Sequence, residues 1–312
     1  MQIKAIAIVG TGVIGSSWAA FYAAKGCPVK MYDVDAATCR RGHRAALEII
    51  DQLRAHGSLV PEMVEAAKSR VAVTDGLAQA VAGVQMVQES VAENYEVKKQ
   101  VFKALDAAAG PDVILASSTS GLLMTEIQQV TRYPGRCLVA HPFNPPHLIP
   151  LVELVPGEAT DEDRITEMKR FYEALGKVPV VLKKAVPGHI ANRLAQALWR
   201  EAVDLVLQGV ASVEDVDKAL YAGPGLRWAL MGQHLIYHLG GGLGGMDHFI
   251  DHFGPAVKPV FESLASWTTL PPQTKDVLTQ GLKKEIGDRS PADLSRWRDE
   301  KLSSLLKLIY ER

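Results

Sequence analysis

The first 33 residues contain the feature that most restricts how this chain can fold. The apolar run Ile3–Val9 leads directly into the turn Gly10–Gly15, which is followed by a helix-forming segment, Ser16–Lys25, and by a second apolar run that ends at Asp33. A strand, a G-x-G-x-x-G turn, a helix and a second strand with a terminal acid are the full sequence context of a dinucleotide-binding unit. The sequence therefore predicts an α/β fold that begins with a Rossmann-type, doubly wound sheet.

The glycines of the turn have separate tasks in such a unit. Gly10 permits a tight turn, Gly12 lets the backbone approach a pyrophosphate, and Gly15 lets helix and strand pack closely. The helix N terminus then offers free N–H groups to the phosphates. The predicted cofactor-binding residues of this unit are Gly10, Thr11, Gly12, Val13, Ile14, Gly15 and Asp33.

The acidic end of the second run predicts NAD rather than NADP. We expect Asp33 to accept hydrogen bonds from the hydroxyls of the adenine ribose. A second acid, Asp35, lies close by, and the first arginine of the chain is Arg40. A 2′-phosphate should therefore be repelled.

A second informative stretch is Cys137–Pro156. Its two apolar runs, Cys137–Ala140 and Leu148–Val155, have the composition of buried strands, and His141 ends the first while Glu153 interrupts the second. A carboxylate in such a run needs a polar partner, and the histidine is the nearest one. We expect an imidazole oriented by a carboxylate, as in a general base. The alternative is a structural histidine at a strand end.

A small polar cluster follows another predicted strand, Val113–Ser117. Ser118, Thr119 and Ser120 come directly after it. Ligands of open α/β sheets bind at the carboxyl ends of the strands, so these side chains are well placed to contact a cofactor or a substrate. A helix cap is the alternative interpretation.

The chain length of 312 residues suggests about two domains. We predict a dinucleotide-binding domain over residues 1–187 and a helical substrate and dimerisation domain over residues 188–312, with a hinge at Lys183–Gly188. The segment Ala36–Arg70 is predicted to be a helical hairpin inserted in the first domain. Further helices are predicted at Tyr95–Ala108, Asp161–Leu175, His189–Gln208, Trp228–Leu239, Met246–Phe253, Val257–Trp267 and Ala292–Tyr310.

The charge balance restricts the partners. The formal net charge is −1, which gives no electrostatic excess for binding nucleic acid or an anionic membrane surface. No apolar run reaches the roughly 18 residues that span a bilayer, and the N terminus enters a strand directly. We therefore expect a soluble, cytoplasmic protein that binds a small molecule.

No metal site is predicted. The three cysteines, Cys27, Cys39 and Cys137, are scattered, which fits a reducing compartment and no Cys-based metal site. His248 and His252 stand one helical turn apart, but a third ligand is missing.

Several motifs in a fixed order resemble those of the L-3-hydroxyacyl-CoA dehydrogenase superfamily, over nearly the whole chain. They are the GTGVIG turn, ESVAEN at Glu89–Asn94, SSTSGL at Ser117–Leu122, HPFNPP at His141–Pro146, LVELVP at Leu151–Pro156 and GHIANRL at Gly188–Leu194. The resemblance implies that His141 is the general base, that Glu153 orients it, and that Ser120 and Asn192 bind the reacting oxygen. It also implies that Glu93 and Lys98 contact the nicotinamide end of the cofactor.

Two segments resemble the branch of this superfamily that acts on free hydroxy acids, which includes L-gulonate 3-dehydrogenase, with lambda-crystallin, and L-carnitine dehydrogenase. They are Gly225–Ala229 and Arg296–Glu300. A small acid without a CoA group needs a cation for its carboxylate, and a guanidinium supplies two parallel hydrogen bonds. Arg227 is the candidate, with a structural surface ion pair as the alternative. Other segments resemble the carnitine or the gulonate enzymes, so both substrates stay open.

The sequence thus predicts an NAD-dependent oxidoreductase that oxidises the 3-hydroxyl of a small L-3-hydroxy acid by hydride transfer. One alternative is an L-3-hydroxyacyl-CoA dehydrogenase, in which basic residues near Ala36–Arg70 would bind the CoA group. The other is a crystallin-like structural protein that binds NAD. A homodimer formed through the helical domain is expected from its apolar helices and from the family resemblance.

Overall fold

The computed structural model describes residues 3–310 and contains an eight-stranded sheet. The strands are β1 Ile6–Val9, β2 Val29–Tyr32, β3 Val71–Val73, β4 Met86–Glu89, β5 Ile114–Ser117, β6 Cys137–Pro142, β7 Leu151–Pro156 and β8 Val178–Val181. Their order in space is β3-β2-β1-β4-β5-β6-β7-β8. Neighbouring strands are parallel, except that β6 and β7 are antiparallel.

Helices connect the strands and make up the rest of the described chain. The α-helices are α1 Val13–Ala24, α2 Ala36–Ala55, α3 Val64–Ser69, α4 Leu77–Val81, α5 Tyr95–Ala108, α6 Met124–Gln128, α7 Glu162–Ala174, α8 Ala191–Leu207, α9 Val213–Ala222, α10 Pro224–Trp228, α11 Gln233–Gly240, α12 Gly245–Ser263, α13 Thr274–Ile286 and α14 Pro291–Tyr310. No helix within residues 3–310 is both long and apolar enough to cross a lipid bilayer.

The predicted fold class, a Rossmann-type doubly wound sheet followed by a helical C-terminal region, is confirmed. The chain builds outward from β1 to β3 and then returns to place β4 on the other side of β1. The carboxyl ends of β1 and β4 therefore meet at the topological switch point, where sheets of this type bind their ligands.

The four central strands β1, β4, β5 and β6 are buried along their whole length, as expected for a sheet covered on both faces. On one face, Phe102 and Leu105 of α5 join Val87 and Leu115 of the strands in one apolar cluster. A second cluster brings Trp18 and Tyr22 of α1 against Tyr172 of α7. These two clusters pack helices against the sheet and thereby hold the carboxyl ends of its central strands, where the candidate site lies.

The prediction for the start of β7 was wrong. That strand was predicted to begin at Leu148, but it begins at Leu151. The N–H groups of Leu148 and Ile149 both donate to the carbonyl oxygen of Pro145, at 3.0 Å, so these residues form a turn. Pro150 has no N–H to donate to a strand partner.

Other differences concern short or interrupted elements. The elements β3, α4 and α6, which have five residues or fewer, were not predicted from the sequence, and neither was α13. Two helices were predicted where α12 is a single helix that contains Pro255 and Pro259. The helix Tyr95–Ala108 is confirmed with the predicted bounds.

The chain divides into two compact units. The first comprises residues up to Arg193 together with Asp299–Leu305, and the second comprises Leu194–Arg298 and the residues after Leu305. Large apolar side chains are exposed in the second unit, among them Leu194, Tyr221, Leu226, Leu230, Leu239, Ile250 and Phe261. The predicted domain boundary between residues 187 and 188 stays a prediction.

A buried lysine holds the connection between β6 and β7. Lys177 is 6% exposed, and its ammonium group donates to the carbonyl oxygens of Pro146 and Ile149, the latter at 2.7 Å. It also lies 4.2 Å from the ring centroid of Phe21. Burial, together with the charge of Lys25, lowers the pKa of Lys177 from 10.5 to about 7.

This lysine should make stability depend on pH. Between its folded pKa of about 7 and its ordinary value of 10.5, the unfolded chain binds more protons, so the free energy of unfolding should rise with pH in that window. The full effect is at most about 5 kcal/mol, and the ring contact, which favours the cation, reduces it. Urea denaturation of wild type and Lys177→Met at pH values from 7 to 10 should show this rise in the wild type alone. Lys169→Met, at an exposed lysine of α7, is the control, and parallel curves for wild type and Lys177→Met would contradict the assignment.

Candidate active site

Three glycines shape the turn between β1 and α1. Gly10 has a φ of +87°, and a Cβ at this position would lie 2.6 Å from the carbonyl carbon of Ser90. A Cβ on Gly15 would collide with the carbonyl oxygen of Gly10, whereas one on Gly12 would meet no atom within 4 Å. The turn is therefore tightly packed at its base and open above Gly12, as a dinucleotide pyrophosphate requires.

Helix α1 begins directly after Gly12, at the open part of the turn. The helix is 12 residues long, and its N-cap, Gly12, has no side chain that could satisfy the first N–H groups. The hydroxyl of Ser16 donates to the carbonyl oxygens of Thr11 and Gly12, which stabilises the turn. The free amides and the positive end of the helix dipole suit a diphosphate.

Asp33 lies directly after β2 and is tied to the same turn. Its Oδ2 accepts hydrogen bonds from the backbone N–H of Thr11, at 2.8 Å, and from the Thr11 hydroxyl, at 3.1 Å. Its Oδ1 accepts only a long bond of 3.3 Å from the N–H of Asp35. The carboxylate is thus oriented, and Oδ1 retains capacity for a ribose hydroxyl. Asp35 itself caps α2.

A buried charge cluster follows the end of β4. Lys98 on α5 is 1% exposed, and its ammonium group lies 2.8 Å from Oε1 of Glu89 and 3.5 Å from Oε2 of Glu93. Glu89 also accepts a hydrogen bond from the Ser117 hydroxyl, at 2.5 Å. Both charges of the Glu89–Lys98 pair are therefore compensated inside the protein, as burial demands.

Glu93 connects this cluster to the polar loop after β5. Its Oε1 accepts hydrogen bonds from the Thr119 hydroxyl, at 2.6 Å, and from the backbone N–H of Ser120, at 2.8 Å. Partial burial would raise the pKa of Glu93, but the hydrogen bonds from Thr119 and Ser120 and the charge of Lys98 together lower it. Glu93 is therefore an ionised carboxylate that holds the loop in place.

A hydrogen-bonded chain fixes Ser118. The Oε1 of buried Gln88 accepts from the hydroxyls of Tyr22 and Tyr172, at 3.3 and 3.2 Å, which turns its Nε2 toward Ser118, 2.8 Å away. The hydroxyls of Ser118 and Ser90 lie 2.8 Å apart. The aromatic core thus sets the position of a side chain at the edge of the sheet.

His141 and Glu153 form a hydrogen-bonded pair. They lie directly opposite each other in the antiparallel register of β6 and β7, and the distance from Nδ1 of His141 to Oε2 of Glu153 is 2.8 Å. The residues are 5% and 1% exposed. The sheet register alone therefore brings the two predicted residues into contact.

The second oxygen of Glu153 is also held. Its Oε1 accepts hydrogen bonds from the backbone N–H groups of Ile190, at 2.8 Å, and Ala191, at 3.0 Å, at the start of α8. Burial would raise the pKa of Glu153, but the bond from His141 and the two amide bonds lower it. Because an ionised carboxylate only accepts hydrogen bonds, Nδ1 of His141 carries a proton, and in the neutral form of the ring Nε2 is the acceptor.

A cavity of about 440 Å³ joins these groups in the first unit. Seven residues singled out from the sequence line it: Ile14, Glu93, Lys98, Ser118, Ser120, His141 and Asn192. Asn192, in the first turn of α8, donates from Nδ2 to the carbonyl oxygen of Ser120, at 3.0 Å. The loop after β5, the end of β6 and the start of α8 thus meet around one space.

Arg227 and the paired histidines lie in the second unit. Arg227 is an exposed residue of α10. The rings of His248 and His252 stack, with centroids 5.6 Å apart. Nowhere within residues 3–310 do three or more His, Cys, Asp or Glu side chains converge as they would on a metal ion. The predicted role of Arg227 in substrate binding stays a prediction.

No role was predicted from the sequence for three buried polar residues of the site: Gln88, Glu89 and His189. Gln88 and Glu89 lie at the end of an apolar strand. In the sequence, polar residues there look like the end of the strand rather than like buried side chains with hydrogen-bond partners. His189 is fully buried beside His141, with ring centroids 5.3 Å apart. Its position directly after Gly188, ahead of a helix, was the available signal of an unusual turn.

Two models of one protein family match most of the chain. Residues 5–185 match the NAD-binding domain of 3-hydroxyacyl-CoA dehydrogenase, and residues 188–279 match the C-terminal domain of the same family. The residues of the turn, the charge cluster and the His141–Glu153 pair all lie within the first match.

Full-length relatives and a solved structure are also similar. L-carnitine dehydrogenase of Streptomyces coelicolor is 43% identical over 310 residues, which cover 98% of this chain and 95% of that protein. L-carnitine dehydrogenase of Oceanobacillus iheyensis is 40% identical, covering 98% of each. The crystal structure of 5-formyl-3-hydroxy-2-methylpyridine 4-carboxylic acid 5-dehydrogenase, an NAD+-dependent dismutase, is 32% identical and covers 100% of both chains, with a TM-score of 0.85.

Replacing Asp33 should change cofactor binding. Asp33→Asn keeps the shape of the side chain but removes the charge, so we expect the dissociation constant of NAD to rise at least about tenfold, as for loss of a charged hydrogen bond. Discrimination against NADP should fall at the same time, because the repulsion of its 2′-phosphate is reduced. Isothermal titration with both cofactors measures the two effects. Asp112→Asn, the same change at an exposed site before β5, should alter neither, and equal affinity of the wild type for NAD and NADP would remove the assignment.

Proposed function

The chain belongs to the 3-hydroxyacyl-CoA dehydrogenase family and is an NAD-dependent oxidoreductase, and from that premise we propose that it oxidises the 3-hydroxyl of a small L-3-hydroxy acid of the L-carnitine or L-gulonate type. The family and the cofactor predicted from the motifs are thereby confirmed. The free-acid substrate is supported by the names of the similar full-length relatives. L-Carnitine is a 3-hydroxy acid without a CoA group.

The observation that carries the proposal is the His141–Glu153 pair at the cavity. In this proposal, Nε2 of His141 removes the hydroxyl proton of the substrate. Glu153 holds the other ring nitrogen in its protonated form and stabilises the imidazolium that results. When bound, NAD supplies the acceptor for the hydride that leaves the hydroxyl-bearing carbon.

Two further groups are suited to bind the substrate oxygen. Asn192 uses one amide hydrogen on the carbonyl of Ser120, which leaves its second amide hydrogen for a ligand. The hydroxyl of Ser120 lines the same cavity and donates to Oε1 of Glu93 at 3.2 Å, so it would have to rotate in order to donate to the substrate. Both groups would bind the substrate oxygen more strongly as it loses its proton and negative charge develops on it.

The charges of the cavity bear on how the carboxylate of the substrate is bound. Among the described residues that line the cavity, Lys98 is the one cation, and Glu89 and Glu93 already compensate it. A substrate carboxylate therefore needs a cation from outside this lining. Arg227 is our candidate, because a guanidinium binds a carboxylate through two parallel hydrogen bonds.

The assembly and the compartment are also part of the proposal. The exposed apolar side chains of the second unit support a homodimer formed through that unit. The three cysteines are free and buried, which supports a reducing compartment such as the cytoplasm. We propose no nucleic-acid or membrane partner.

A substrate panel tests the proposal against its two alternatives. We expect NADH formation with L-carnitine or L-gulonate to exceed that with 3-hydroxybutyryl-CoA and L-3-hydroxybutyrate by at least about tenfold in kcat/KM. A preference for the CoA ester would favour the acyl-CoA alternative. Absence of NADH with every compound, while NAD still binds, would favour a crystallin-like role.

Removing the proposed base should separate turnover from cofactor binding. We expect His141→Ala to lower kcat at least about a hundredfold, as for loss of a general base, with the dissociation constant of NAD nearly unchanged. His43→Ala, which removes a half-buried histidine of α2 outside the cavity lining, is the control. Near-normal turnover of His141→Ala would exclude His141 from the reaction.

A further inference from the structure

His189 is a fully buried residue that the proposed reaction does not use. It precedes α8, and its φ of +51° lies in the left-handed region, which residues other than glycine rarely adopt. Its ring centroid lies 5.3 Å from that of His141. A residue kept in a costly backbone conformation beside a proposed base warrants a physical explanation.

The protonation state of His189 follows from its contacts. Its Nε2 lies 3.1 Å from the carbonyl oxygen of Thr119, which can only accept, so Nε2 carries a proton. Burial lowers the pKa of His189. The Thr119 carbonyl and the carboxylates of Glu153 and Glu93 act in the opposite direction, while His141 adds to the lowering when it is protonated. The ring is therefore neutral, with Nδ1 unprotonated.

That unprotonated nitrogen has no hydrogen-bond partner among residues 3–310. Nδ1 of His189 is buried without a hydrogen bond, although such atoms are nearly always satisfied in folded proteins. A phenylalanine ring would fill the same space without an unsatisfied polar atom. What the imidazole supplies and an apolar ring would not is the hydrogen bond from Nε2–H to the carbonyl oxygen of Thr119.

His189 connects the two halves of the site. Its side chain holds the carbonyl of Thr119, next to Ser120, in the loop that also binds Glu93. Its left-handed backbone turns the chain so that the next two amides, of Ile190 and Ala191, point at Glu153. One residue thus contacts the loop that would bind the substrate oxygen and sets the donors that fix the carboxylate of the pair.

We propose that His189 is a positioning residue that sets the distance between the Thr119–Ser120 loop and the His141–Glu153 pair. It acts through both of these elements and does not itself exchange a proton with the substrate. This inference rests on the proposed dehydrogenase function.

Two substitutions test the proposal, and both place a non-glycine residue in the same left-handed backbone conformation. In His189→Gln the amide nitrogen reaches the place of Nε2 and can still donate to Thr119, whereas His189→Phe has no donor. We expect kcat of the Gln variant to stay within about threefold of the wild type and that of the Phe variant to fall about tenfold to a hundredfold, as for a misplaced catalytic group. The dissociation constant of NAD and the melting temperature should be similar in both variants.

The outcomes separate positioning from stability alone. Turnover of the Phe variant within twofold of the wild type would overturn the proposal, as would equal losses in the Phe and Gln variants. If the Phe variant does not fold, His189→Asn replaces it, because its shorter amide cannot reach Thr119 although asparagine tolerates the left-handed region. Loss in Asn with retention in Gln supports the proposal, and equal turnover of the two overturns it.

A readout without substrate distinguishes this inference from the proposed function. The Nδ1–H proton of His141, assigned by comparison with His141→Gln, reports on the bond to Glu153 in the nuclear magnetic resonance spectrum. We expect it to be preserved in His189→Gln and weakened or shifted in His189→Phe. This expectation for the Nδ1–H signal does not depend on the substrate. If no 3-hydroxy acid is oxidised, only the proposed function is refuted. An unchanged signal in His189→Phe would refute the positioning role.

Discussion

The buried carboxylate of Glu153 is the group on which the organisation of the site depends. It accepts hydrogen bonds from the His141 ring and from two amides at the start of α8, so both of its oxygens are satisfied within the first unit. A buried charge is tolerated only with such compensation. The same three bonds that make the charge tolerable also fix the imidazole tautomer and anchor the first turn of a helix.

The site contains a second group of compensated charges, which has a different task. Glu89 and Glu93 both pair with the Lys98 ammonium group at the carboxyl end of β4. Glu93 also accepts a hydrogen bond from the Thr119 hydroxyl, which holds the loop after β5. Since the members of the cluster are occupied with one another, they shape the cavity rather than offer a free cation to a ligand. The strand ends thus provide one oriented base and a set of hydrogen-bond donors in a rigid frame.

The sequence predicted most of the sheet and the contact between His141 and Glu153, because both depend on local patterns. The glycine turn, the apolar runs and the alternation of a strand are visible over a few residues, and the cross-strand pairing follows from them. The start of β7 could not be predicted, because Leu148 and Ile149 are apolar and therefore look in sequence like part of the strand. In the structure they form a turn, in which their N–H groups donate to the carbonyl oxygen of Pro145. The role of Gln88 depends on Tyr22 and Tyr172, which lie 66 and 84 positions away. The contact of His189 with Thr119 likewise spans 70 positions.

The antiparallel pairing of β6 and β7 has a consequence for how the molecule assembles. His141 and Glu153 are separated by 12 positions, so their contact closes a short loop and costs little chain entropy. The contact of Thr119 with His189 spans 70 positions, so it closes a far longer loop at a higher cost in chain entropy. We therefore expect the hairpin to acquire its native register early during folding, with the remaining supports of the site added to a pair that is already formed.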